Sequence, residues 1–215
     1  MTTDPVPTDA AVLVPVKAFA EAKVRLKAAL SPSERAGLAR RMADRVVSAA
    51  APLPVAVVCD DPGVRAWADG AGARVLWRPG LGLNGAVQSG IEALAEAGFA
   101  RVVVAHGDLP LAERFDWVAD FDGVTLVPDR RDDGTNVACV PVDVGFRFAY
   151  GGGSFRRHAA EARRLGLALR IVRDPVLGWD VDLPADLAHP DPLPILRGGG
   201  RSTGPPVLPE ASGCP

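Results

Sequence analysis

The sequence predicts a three-layer α/β domain built on a mainly parallel sheet. Short β-branched apolar runs recur along the chain, and stretches with helical periodicity separate several of them. The runs are apolar almost throughout rather than alternating, as strands covered on both faces must be. At 215 residues the chain is long enough to bury one full hydrophobic core.

The first predicted strand is AVLVPV (11–16), three of its six residues β-branched. A helix follows over SPSERAGLARRMADRVVSAA (31–50), with Leu38, Met42 and Val46 on one stripe, Ser31 or Ser33 as cap and Glu34 in the first turn. PVAVVC (54–59) and ARVLW (73–77) are the next two strands. NGAVQSGIEALAEAG (84–98) places Val87, Ile91 and Leu94 at helical spacing and stops at Gly98. RVVVA (101–105), GVTLVP (123–128) and NVACVPV (136–142) are three further strands. GSFRRHAAEARRLG starts a helix after a glycine run and ends it on Gly166, within a helix-and-strand stretch that reaches residue 172. The domain is expected to span 1–188. Residues 189–215, dense in Pro and Gly and without period, predict a flexible tail.

Composition narrows the function classes. A net charge of −2 and the lack of a basic run or face predict no nucleic-acid footprint, and sparse aromatics predict no base-stacking platform. No apolar stretch is long enough to span a bilayer, and MTTDPVPTDA lacks the basic and apolar regions of a signal peptide. Cys59, Cys139 and Cys214 are odd in number and far apart. They read as buried small hydrophobes and, at Cys214, a tail thiol in a reducing compartment. A cytoplasmic enzyme or binding domain is expected.

In an open parallel sheet, ligands bind beyond the carboxyl ends of the strands, and the polar clusters of this chain fall there. Lys17 follows the first strand directly, ahead of AFAEAKVRLKAAL with Lys23, Arg25 and Lys27. That run is either a solvated helix face or a set of cations for phosphates. Asp108, in VVVAHGDLPL, either caps a helix over LPLAERFDWV or holds a hard divalent cation through its carboxylate oxygens. A metal needs a second carboxylate, and DVD (180–182) offers two. One is expected to face the cleft with Asp108, while Asp182 turns away to cap a short closing helix over LPADL. DDGTNVACVP is by spacing a hairpin turn, with Thr135 and Asn136 as short hydrogen-bonding groups. YGGGSFRRHAAEA leads three glycines into a helix start with Ser154 at the cap, which is either a flexible connection or an anion site. His158, one turn on from Ser154, either orients that end or is a structural histidine. The three histidines lack zinc-ligand spacing. Carboxylates for a metal, a helix start for an anion and cations after strand one together describe phosphoryl or nucleotidyl transfer.

VPVKAFAEAKVRL, LGLNGAV, VVVAHGDLPL, DGTNVACVP, YGGGSFRRHAAEA and WDVDLPADL, in this order from residue 11 to 188, resemble a known family. It is the phosphoenolpyruvate and 2-phospho-L-lactate guanylyltransferases of coenzyme F-420 biosynthesis. The resemblance implies a nucleotidyltransferase fold of the GT-A, Rossmann-like kind, in which PVK…AK.RL replaces the glycine-rich triphosphate loop of related enzymes. By that similarity Lys17, Lys23 and Arg25 act on the GTP phosphates, Asn84 lies near the nucleoside, and Asp108 and Asp180 ligate Mg²⁺. Thr135, Gly151 and Ser154 match positions that hold a phosphorylated three-carbon acid.

The implied reaction transfers GMP from GTP to the acceptor phosphate. With phosphoenolpyruvate it gives enolpyruvyl-diphospho-guanosine and pyrophosphate, and the product passes to a transferase that adds the deazaflavin alcohol. The Ala, Arg, Gly and Pro bias leans toward phosphoenolpyruvate, with 2-phospho-L-lactate and 3-phosphoglycerate as alternatives. A molybdopterin or sugar-phosphate nucleotidyltransferase and a catalytically inactive nucleotide-binding protein are the rival readings. Oligomeric state is open, a dimer among the options. The chain departs from the family pattern at Leu183, where DVDTP has Thr, and at His106, where a small or polar residue is usual.

Overall fold

The computed structural model describes residues 9–188. The predicted tail, 189–215, and Cys214 lie outside them. Seven strands form one sheet in the order β3-β2-β1-β4-β6-β5-β7. They are β1 (Ala10–Pro15), β2 (Val55–Cys59), β3 (Arg74–Trp77), β4 (Arg101–Ala105), β5 (Val124–Pro128), β6 (Thr135–Pro141) and β7 (Leu169–Ile171). Strand β6 runs antiparallel to β4 and β5, and every other pairing is parallel. The predicted strands are present, their ends shifted by one residue at most.

Helices α1 (Pro32–Ala49) and α2 (Pro62–Gly70) cover one face, and α3 (Gly82–Glu96) and α4 (Ser154–Arg164) the other. Side chains of a strand alternate between faces, so Val12 and Val14 of β1 join α1 and α2 while Ala11 and Leu13 join α3 and α4. This is the three-layer arrangement that near-continuous apolar strands require. Helix α1 opens with a capping box: Ser31 Oγ accepts from the Glu34 amide while the Glu34 carboxylate accepts from the Ser31 amide.

Two elements differ from expectation. Helix α2 was not expected, although Val64, Trp67 and Ala68 sit at helical spacing, and it starts on Asp61, whose carboxylate accepts from the Val64 amide at 2.9 Å. LPLAERFDWV forms no helix beyond one 3-10 turn, Asp116–Ala119, so Asp108 caps nothing there.

After β1 the chain winds outward through β2 and β3, then returns over α3 to place β4 on β1's other side. The reversal makes the carboxyl ends of β1 and β4 a topological switch point, where a crevice forms because the connections leave in opposite directions. Because β6 is antiparallel, its first residue, Thr135, comes to that same edge, with the His106 amide donating to the Asn136 carbonyl at 3.0 Å.

Candidate active site

A cleft of about 910 Å³ opens at this switch point. It is lined by the segment after β1 (Lys17, Lys23, Arg25), the end of β2 (Asp60, Asp61), Arg78 after β3, His106 and Asp108 after β4, and Asp182. The volume falls in the range of small-molecule and cofactor sites.

Lys23 is the pivot. Its backbone takes a left-handed conformation (φ 55°, ψ 38°) that side chains rarely adopt, ahead of the 3-10 turn Val24–Leu26. That turn buries Leu26 against Leu38, Met42 and Val181, which anchors the cation-bearing segment to α1. The Lys23 ammonium lies 2.6 Å from Asp108 Oδ2 and 2.8 Å from Asp182 Oδ1, its side chain 9 % exposed. Burial works against the charge of Lys23, but the two carboxylates outweigh it and the net direction is up. Asp108 mirrors it: burial pushes its carboxyl up, and the charges of Lys23 and His106, with hydrogen bonds from Lys23 and its own amide, together bring it below the ordinary value. Lys17 lines the cleft with an exposed side chain, and Arg25, largely exposed, makes a 3.5 Å contact to Asp182.

The DVD segment reaches Asp108 through the backbone, since the Val181 amide donates to the Asp108 carbonyl at 3.4 Å. Asp180 and Asp182 do not diverge as the sequence reading expected. Residues i and i+2 of an extended segment share a face, so both acids sit on Asp108's side, and Val181 between them enters the Leu26 cluster. Nor does Asp182 cap the closing turn, Pro184–Leu187. The fully buried Asp186 does so, accepting from the Asp182 and Leu183 amides at 2.8 and 2.7 Å. Its carboxylate also pairs with Arg130 and Arg131. Its hold on the Leu183 amide is the N3 half of a capping box; the half a hydroxyl at 183 would supply is absent, and the Asp186 amide donates to the Leu183 carbonyl at 2.8 Å.

Asp180 is 8 % exposed, and its carboxyl is pushed up to about 6 by burial first and then by the like charges of Asp108 and Asp182. Arg130 reaches its Oδ1 only at 3.7 Å because its guanidinium is committed to Asp186. Asp108 Oδ1 and Asp180 Oδ1 are buried without a hydrogen-bond partner. Two orphaned carboxylate oxygens, one on a cleft-lining residue and one on its covered neighbour, are the kind of donor a hard divalent cation takes. Among the described residues no third His, Cys, Asp or Glu completes a metal cluster, so any such ion would rely on water or substrate oxygens for the rest.

The other sequence-predicted residues form a second group. Asn84 does not line the cleft. Its Oδ1 accepts from the Tyr150 amide at 2.7 Å, so it pins the chain before the glycine loop. Thr135 and Ser154 are buried and joined, the Thr135 amide donating to Ser154 Oγ at 3.0 Å. Gly153, not Ser154, is the N-cap of α4, and its φ of 72° suits a residue without Cβ. The amides of this helix start are already engaged: Gly153 donates to Asp133 Oδ1 at 3.0 Å and Ser154 to the Gly151 carbonyl. Gly151 (φ 115°) shares its carbonyl with Arg157, which also holds the Ala149 and Gly152 carbonyls. The predicted hairpin turn is present between β5 and β6, organised by Asp129, which accepts from the Arg131, Asp133 and Gly134 amides.

The two groups meet at His106. Its ring lies 4.7 Å from that of Tyr150, which is 4.8 Å from that of His158. Asp133, Tyr150 and Arg157 act through backbone or ring contacts, and Asp186 through those and the distant Arg130 and Arg131, none of which a local motif marks.

The sequence profile described as "Guanylyl transferase CofC like" matches residues 10–201. This chain belongs to the CofC-like guanylyltransferase family. The phosphoenolpyruvate guanylyltransferase of Sphaerobacter thermophilus is 39 % identical, over 81 % of this chain and 89 % of that protein. The 3-phospho-D-glycerate guanylyltransferase of Phenylobacterium zucineum is 35 % identical over 85 % and 88 %. The 2-phospho-L-lactate guanylyltransferase of Methanothermobacter thermautotrophicus is 33 % identical over 87 % and 85 %. Among solved structures, a nucleotide-diphospho-sugar transferase from Desulfovibrio desulfuricans superposes with a TM-score of 0.66 at 18 % identity, covering 84 % of this chain and 85 % of that one. The fold is that of the nucleotidyltransferases, as the CofC-like motifs implied, and the chain is an enzyme of that class.

Proposed function

We propose that this CofC-like enzyme transfers GMP from GTP to the phosphate of a three-carbon acid, phosphoenolpyruvate in the first place, in coenzyme F-420 biosynthesis. The observation that carries the reading is the meeting of Lys17, Lys23 and Arg25 with Asp108 and Asp182 in one cleft at the ends of β1 and β4, with the covered Asp180 close enough to feel both charges. Cations for a triphosphate and the acid Asp108 line the same crevice. The names of the relatives support the guanylyl donor, and phosphoenolpyruvate recurs among them as acceptor.

In this reading Lys17, Lys23 and Arg25 bind the GTP phosphates and hold the pyrophosphate as it departs. Thr135, Gly151 and Ser154 hold the acceptor. Thr135 and Ser154 are nearly covered, so the reading requires the glycine loop beside them to shift and admit it. Asn84 acts through the backbone of Tyr150, placing the loop rather than touching the nucleoside. A phosphate oxygen of the acceptor attacks the α-phosphorus of GTP, the new P–O bond forms, and the bond to the β-phosphate oxygen breaks. The attacking oxygen is ionised at neutral pH, so no base is needed and catalysis rests on positioning and charge neutralisation. Asp108 and Asp180 are the residues that would hold Mg²⁺, which neutralises phosphate charge when bound. The diphosphate product then serves a transferase that joins it to the deazaflavin alcohol.

The test is incubation with GTP, Mg²⁺ and each of phosphoenolpyruvate, 2-phospho-L-lactate and 3-phosphoglycerate, with mass detection. Enolpyruvyl-diphospho-guanosine is the expected dominant product. A faster reaction with another acid reassigns the acceptor, and CTP or UTP outrunning GTP removes the guanylyl reading.

A further inference from the structure

His158 is fully buried at the second turn of α4, packed against Phe146, Phe148 and Tyr150 with ring separations of 6.0, 5.4 and 4.8 Å. Its Nε2 lies 2.9 Å from the Ala149 backbone nitrogen. A backbone N–H can only donate, so Nε2 must present its lone pair, and the ring proton of the neutral imidazole resides on Nδ1. Nδ1 is 3.0 Å from Thr135 Oγ1. The direction of that bond therefore follows: Nδ1–H donates and the threonine oxygen accepts. Burial, then the charges of His106 and Arg157, hold the imidazole down near 4, so it stays neutral at physiological pH.

A hydroxyl has one proton, and Thr135 does not spend it on His158. Ser154 is in the same position, since its Oγ accepts the Thr135 amide at 3.0 Å. Each of the two neighbouring hydroxyls thus accepts from the protein and keeps its proton for another partner. A pair of fixed O–H donors suits the oxygens of a carboxylate or phosphate and disfavours a group that must itself donate.

We infer that His158 is a positioning residue which fixes the polarity of the Thr135 hydroxyl, so that its proton stays available, beside that of Ser154, for the anionic end of the acceptor. The inference rests on the acceptor reading of these two residues. Without the imidazole N–H, the threonine is free to turn its proton inward and face an anion with lone pairs.

Two substitutions separate this role from simple support of the fold. His158→Asn places an amide near Nδ1 and keeps the donor to Thr135 while losing the acceptor for Ala149. His158→Gln places its amide near Nε2 and does the reverse. Steady-state kinetics with GTP, Mg²⁺ and phosphoenolpyruvate should show the acceptor KM raised about tenfold or more in His158→Gln. It should change less than about threefold in His158→Asn, with the GTP KM unmoved in both. Thr135→Val should raise the acceptor KM, and adding His158→Gln to it should cost nothing further. His158→Asn proving the more damaging would overturn the inference, because holding Ala149 would then be the role. An unchanged acceptor KM in Thr135→Val sinks the acceptor reading itself, whereas a raised one with His158→Gln unaffected sinks only the part given to His158. Nitrogen-15 NMR of the imidazole in the native protein gives a readout independent of any variant: an Nδ1–H tautomer is expected, and an Nε2–H tautomer refutes the proposal.

Discussion

Asp180 is a carboxylate in surroundings that oppose its charge. Burial and the neighbouring Asp108 and Asp182 raise its proton affinity, so between the ordinary carboxylate value and about 6 the folded chain holds a proton that the unfolded chain releases. Stability contributed by that proton is present at low pH and lost as pH rises through this window. Asp180→Asn should accordingly stabilise the metal-free protein by about 1–3 kcal/mol at pH 7, with the gain fading below pH ~4. The same substitution should cut turnover by about 100-fold or more if the carboxylate supports transition-state charge. Opposite movement of the two quantities, followed by chemical denaturation and by pyrophosphate release, marks a group retained for function. A variant that is both less stable and fully active contradicts this account.

Helix α3 shows how closely an element must lie on the sheet to shape the cleft rim, where it contributes Gly82, Leu83 and Ala86. At Gly90 an added Cβ would come within 2.7 Å of Leu13 Cδ2 and 3.0 Å of Leu13 Cδ1. Leu13 is fully buried in β1 and has little room to turn. Alanine is intrinsically better than glycine in a helix by roughly 1 kcal/mol, but overpacking a core costs about 1–3 kcal/mol, and here the second effect prevails. Gly90→Ala should therefore lose up to about 2 kcal/mol in urea denaturation. Shortening the neighbour with Leu13→Val in the same chain should recover part of that loss relative to the sum of the single changes. Simple additivity would show that the contact is not the cause.

Three stretches distant in the chain close the site, and Asp186 is the tie among two of them. It accepts from the Asp182 and Leu183 amides and pairs with Arg130 and Arg131 of the β5–β6 turn, while Arg130 also donates to the Asp180 carbonyl and stacks on Trp179 at 4.2 Å. Removing one partner of a buried ionic cluster leaves the others uncompensated. Asp186→Ala should cost about 3 kcal/mol in stability and also lower turnover, because the segment carrying Asp180 loses its anchor. A loss of stability with turnover intact under folded conditions would show that Asp180 is held by other means.

Layering, strand positions and three of the four helices were legible in the chain, because apolar periodicity is set locally by which face must be buried. The cations after β1, the acids at 108 and 180, and the Thr135 and Ser154 hydroxyls were also named from their motifs. Tertiary structure alone decided how they pair. Lys23 bridges Asp108 and Asp182 across more than 80 residues of sequence on either count, Asp186 takes the capping role, and Asn84 turns to the Tyr150 backbone. The orientation of the His158 ring, and with it the direction in which Thr135 can donate, depends on an amide at Ala149 that no local pattern marks. Periodicity records burial one residue at a time, whereas hydrogen-bond direction and charge pairing exist only once separate segments share the same low-dielectric space.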